Sequence, residues 1–75
     1  MKTMTCKQLG GACDKPFTAN TFNEIAEMSK AHGTEMFQLK DEAHLKAMAE
    51  MGNMMKVEGA FQKWFQEKQA EFNEL

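Results

Sequence analysis

Four side chains in this chain of 75 residues carry the chemistry most worth following: Cys6, Cys13, His32 and His44. Thiolate and imidazole are the donors from which zinc sites are assembled, and a thiol beside an imidazole can also serve as a nucleophile. Cys6, Cys13 and His32 supply three candidate ligands, and His44 or Asp14 supplies a fourth. The spacing is not that of a zinc knuckle. A knuckle presents Cys-x2–4-Cys, whereas six residues separate these two cysteines. The competing reading is that the thiols are small buried hydrophobes and the histidines are hydrogen-bonded core.

The elements that must position these groups fall into two parts, within one domain spanning 1–75. Residues 1–20 read as a hairpin. Met4, Cys6 and Gln8 alternate with Thr3, Thr5 and Lys7, as a half-buried strand requires. Gly10-Gly11 then offers the positive φ of a tight turn, with a second strand expected from Ala12 to about Phe17. A two-residue Gly-Gly loop sets Met4 opposite Phe17, Cys6 opposite Lys15, and Gln8 opposite Cys13. In that register the thiols share a face diagonally, with Cα atoms about 7–8 Å apart. Such a separation is long for a disulfide, but two sulfurs so placed can reach one ion. A slip of one residue would send them to opposite faces.

Residues 21–75 read as helical. Thr21-Phe22-Asn23-Glu24 has the form of a capping box, with the Thr hydroxyl and the Glu carboxylate satisfying opposite orphan amides. It opens a first helix in which Ile25, Met28, His32 and Met36 share a face, turning His32 toward the hairpin. Asp41 is the expected N-cap of a second helix, ending near Gly52-Asn53 or running on into Val57. A third, over roughly 57–73, carries a broad stripe of Val57, Phe61, Trp64, Phe65, Lys68, Phe72 and Leu75. The fold class is α+β: a short N-terminal β-hairpin followed by two or three amphipathic α-helices.

Composition narrows the partners. All nine cations are lysines, against eleven acids, for a net charge of −2. The acids concentrate after residue 20. Nucleic-acid surfaces are basic, and arginine makes their commonest base contact, so neither DNA nor RNA is an expected partner. The acidic helical part disfavours an anionic membrane, and no apolar run nears the ~20 residues of a span. Without an apolar leader segment, a cytoplasmic location with reduced thiols is expected. No G-x-S-x-G, P-loop, dinucleotide or Cys-x-x-Cys pattern is present, and catalysis is not expected.

The run Cys6-x-x-Leu9-Gly10-Gly11-x-Cys13-Asp14, followed by a capped helix containing a histidine, resembles a family of small prokaryotic proteins. That family is a domain of unknown function, and its members are often called predicted small metal-binding proteins. The resemblance covers about the first 35 residues and implies a metal site. The longer helical extension departs from the short members.

Three functional readings follow. The first is a small module that self-associates or binds another protein through Phe61, Trp64, Phe65 and Phe72. Soft methionine surfaces repack against partners, and this chain is Met-rich, with 8 methionines. The second is a metal-binding protein, with zinc as the cofactor, using Cys6, Cys13, His32 and His44. Thioethers beside thiolates would extend that reading to Cu(I). The third is a thiol redox protein that pairs Cys6 with Cys13.

Overall fold

The computed structural model describes residues 1–75 as a two-stranded antiparallel hairpin followed by three helices. Strand β1 is Lys2–Thr5 and strand β2 is Pro16–Ala19. A 3-10 turn over Lys7–Leu9 lies between them. Helix α1 is Phe22–Gln38, α2 is Glu42–Met55, and α3 is Ala60–Glu74. No helix is long and apolar enough to cross a membrane.

Met4 opposes Phe17 and Thr5 opposes Pro16, the register expected from the sequence. Alternation sends Met4, Phe17 and Ala19 inward. On the outer face, the Thr3 and Thr18 hydroxyls meet at 2.8 Å. The second strand begins later than expected, because residues 6–15 form a wide turn rather than a two-residue loop. Pro16 opens the strand, where its missing N–H costs no ladder bond.

The hairpin's inner face rests on α1 and α3. Met4, Leu9, Phe17, Ala19, Phe22, Ile25 and Phe72 form the buried apolar core together with Cys6. Phe22 lies 5.1 Å from Phe65 and 5.8 Å from Phe72, ring centre to ring centre. Thr21 caps α1 by accepting from the Glu24 amide at 3.2 Å. The capping box is half formed, since the Glu24 carboxylate accepts from the Thr21 hydroxyl instead of from an amide.

Helix α1 ends in a left-handed reversal at Lys40, with φ of 57°. Asp41 N–H donates to Met36 and Lys40 N–H donates to Phe37, the bond pair of a Schellman stop, in which glycine is usual. The chain thereby turns back so that α2 starts beside the hairpin. Helices α2 and α3 are separate. Helix α2 runs through Gly52-Asn53 to Met55, and the break lies at residues 56–59, where Gly59 takes φ of 79°. Val57 falls in that break and is exposed, as is Leu75, so neither belongs to the α3 stripe.

Phe72 is 3 % exposed. Truncation to Ala should cost about 3–5 kcal/mol, read as a lowered urea midpoint, a large share of the stability of so small a domain.

Candidate metal centre

The four chemistry-bearing residues come from the two ends of the β1–β2 turn and from two helices. Cys6 follows β1, Cys13 precedes β2, His32 lies on α1, and His44 stands in the first turn of α2. Their ligand atoms all lie within 4.8 Å of one another. Cys13 Sγ is 3.3 Å from His32 Nε2, and Cys6 Sγ is 3.7 Å from His44 Nε2. Tetrahedral zinc with ordinary Zn–S and Zn–N bonds requires donor separations of roughly 3.3–3.8 Å. Only small side-chain adjustments separate the arrangement from that figure. Asp14, the alternative fourth donor, is exposed and outside the cluster.

The turn that presents Cys6 depends on two glycines for different reasons. Cys6 N–H donates to the Lys15 carbonyl and Lys7 N–H to that of Cys13, both at 2.8 Å. One residue, Asp14, is thus left over on the second arm, and the regular pairing of Gln8 with Cys13 does not form. The chain instead curls around the Cys6 carbonyl, which accepts from Leu9 at 3.0 Å and from Gly11 at 2.8 Å. Gly10 closes the 3-10 turn with φ of 87°, a value costly for residues with a side chain. Gly11 has no such φ; it is needed for space, because a Cβ there would fall on the Cys6 sulfur.

The histidines are held on edge. His32 is 7 % and His44 6 % exposed. Their ring centres are 5.2 Å apart in a T-shaped contact, and Phe17 braces His32 from the other side at 5.7 Å. His44 is oriented further by Asp41, whose Oδ2 accepts from the His44 backbone N–H at 3.0 Å and lies 2.5 Å from Nδ1. This bond fixes the proton on Nδ1 and leaves Nε2 facing the cluster, the carboxylate–histidine arrangement of many metal sites. Asp41 was legible only as a helix cap; its second contact follows from His44 standing three residues later, at the N3 position.

The groups differ electrostatically. Hydrogen bonding to Asp41 raises the His44 pKa, and the same bond holds the Asp41 carboxyl below its ordinary range. Burial pushes the His32 imidazole down, reinforced by the charge of His44. Burial pushes the Cys6 thiol up. The Lys15 backbone amide pulls the Cys13 thiol down, with a smaller contribution from His44. Both cysteines are free thiols.

A cavity of about 140 Å³ opens onto Cys6, His32 and His44, walled on its far side by Gly33, Met48 and Met51. It provides an access route to three of the four donors.

The proposed interface residues are placed less uniformly. Phe72 belongs to the intrachain core, whereas Phe61, Trp64 and Phe65 are half-buried along α3. Comparison with protein-family models, curated proteins and solved structures finds no match. The Cys/His cluster that the family resemblance implies is present, while the motif itself gains no support from those comparisons.

In metal-free protein, iodoacetamide should modify Cys13 before Cys6, because Cys13 is both more exposed and the more readily ionised thiol. Peptide mapping by mass spectrometry after partial alkylation checks the order, and equal labelling would contradict it.

Proposed function

We propose that this protein binds one transition-metal ion, with zinc the best fit, through Cys6, Cys13, His32 and His44. The observation that supports the reading is the convergence of two sulfurs from the β1–β2 turn and two imidazole nitrogens from α1 and α2 within 4.8 Å. The donor set is Cys2His2, a composition characteristic of structural zinc. With four protein donors no coordination position is left for substrate, so the ion's role is to hold the fold and not to perform a reaction. Asp41 raises the basicity of His44 toward the ion.

Size supports the same reading. Only ten of the 75 residues are buried, and a domain with so small a core gains from a metal staple. His44 is the one buried residue of α2. A bound ion would therefore tie α2 to the hairpin and α1 where apolar packing does so least.

Copper(I) is the second reading, favoured by one observation: Met48 and Met51 line the cavity that reaches the site. Thiolates with thioethers nearby suit that soft ion.

Elemental analysis of untagged protein purified without chelator should find one zinc per chain, and Cys6→Ser or His44→Gln should abolish it. Cobalt substitution should give the visible bands of tetrahedral thiolate coordination. Protein that acquires no stoichiometric metal from equimolar zinc or, anaerobically, from copper(I) would overturn the proposal. Asp41→Asn keeps the helix cap and should weaken zinc by about 10–100-fold.

Protons compete for the ligands, so affinity should rise with pH across the neutral range. The raised Cys6 and His44 pKa values both act in that direction, and competition with a chromophoric chelator measures the slope. Chelation should also accelerate amide exchange in α2 more than in α1, which retains Phe22 and Ile25 in the core.

A further inference from the structure

A second cavity adjoins the first, sharing Leu9, Ser29 and Met51 with it, and does not depend on the metal reading. It occupies about 570 Å³ between α1, the end of α2 and the start of α3. That volume falls within the roughly 300–1,000 Å³ typical of small-molecule sites. Its walls are Leu9, Phe22, Met51, Phe61, Trp64 and Phe65. The cavity is open to solvent, with Phe61, Trp64 and Phe65 half-buried and Met55 exposed along it, and apolar surface with few polar partners holds water poorly. The lining therefore suits an apolar body.

The polar groups are few and of one kind. Lys30 is the only charged residue of the lining, and Ser29 beside it supplies a hydroxyl. Lys30 is exposed and forms no ion pair with any acid of the chain. Neither carboxylate nor basic residue faces it from α2 or α3 across the cavity, where the polar liners are absent and the neighbours are Met51, Met55 and the three aromatic side chains. An apolar chamber with one unpaired ammonium at its edge complements a molecule with an alkyl body and a single negative head.

From this arrangement we infer that the cavity is a binding site for an amphipathic monoanion of the medium-chain carboxylate class. The alkyl chain lies against Phe22, Met51 and Trp64, and the carboxylate meets Lys30 and Ser29. The cavity also touches the metal-presenting turn: a Cβ on Gly10 would stand 2.7 Å from Met51 Cε and 3.3 Å from the Trp64 ring. Trp64, the only tryptophan, therefore reports on the cavity directly.

The test titrates the full chain, as purified, with decanoate below its micelle concentration, reading Trp64 emission and calorimetric heat. Equimolar, saturable binding with a change in Trp64 emission is expected. Lys30→Met, at an exposed position that should leave the fold intact, should weaken it roughly two- to five-fold, the effect of a solvent-accessible ion pair. Decyltrimethylammonium, with the same chain and the opposite charge, should bind more weakly than decanoate. The inference is overturned by the absence of saturable binding, by equal affinity for the cation, or by Lys30→Met without effect. It is also overturned if light scattering shows a second copy of the chain covering Trp64 that decanoate does not displace. None of these outcomes requires or excludes a metal, so failure here and failure of the metal reading are separable.

Discussion

The constraint on which the structure turns is that two thiols from one turn and two imidazoles from two helices must arrive within 4.8 Å of one another. Local geometry can set the two thiols, but only tertiary packing can bring both histidines to them. The hairpin register sets Cys6, the bulged second arm sets Cys13, the inner face of α1 sets His32, and the reversal at Lys40 sets His44. An error in any one would leave buried polar atoms without partners, which costs more than losing the favourable contact itself. The cluster thus selects among alternative packings of a chain whose apolar core is small.

Asp41 shows how closely local and long-range requirements are joined. As the N-cap it satisfies an orphan amide of α2, and with the same oxygen it meets Nδ1 of His44. The helix start and the imidazole orientation are consequently one event: α2 cannot begin elsewhere without also turning His44. The opposite pKa displacements of the two groups express the one hydrogen bond between them. The thiols are differentiated by position in the same way. Cys6 is enclosed by the turn it initiates, and its burial outweighs the backbone amides of Ala12 and Cys13 directed at it, whereas at the less buried Cys13 the Lys15 amide prevails.

Much of this was legible in the sequence, and the residues that were not share a cause. The Met4–Phe17 register follows from centring the hairpin on Gly10-Gly11 and holds although the turn there is wide, while helical spacing turns His32 toward the hairpin because that rule acts over short distances. The α+β order and the caps at Thr21 and Asp41 were readable for the same reason. The shape of the turn was not. Gly-Gly suggested a two-residue loop, but one glycine is required by φ and the other by the proximity of a sulfur, a contact that exists only after folding. The six-residue gap between the cysteines departs from the zinc-knuckle spacing for a related reason: a knuckle turn carries two ligands close together, whereas here each end of a wide turn carries one. Phe72 shares the broad α3 stripe with the candidate interface residues yet is buried within the chain, because periodicity identifies an apolar face without identifying what covers it.

The division of labour between metal site and core follows from where burial is found. Helices α1 and α3 each insert aromatic or aliphatic side chains into the core, while α2 contributes only His44 to the buried set. Hydrophobic burial yields roughly 1.5–3 kcal/mol for each large side chain, and α2 makes no fully buried contribution of that kind. Its half-buried methionines line cavities rather than fill the core. A helix so placed would be expected to fray from its neighbours unless a stronger, directional attachment held its first turn. The proposed coordination would supply that attachment through one nitrogen and leave the rest of α2 to border the two cavities. The two cavities are joined in their walls, since Leu9, Ser29 and Met51 line both, so Met51 is the one side chain of α2 common to the two.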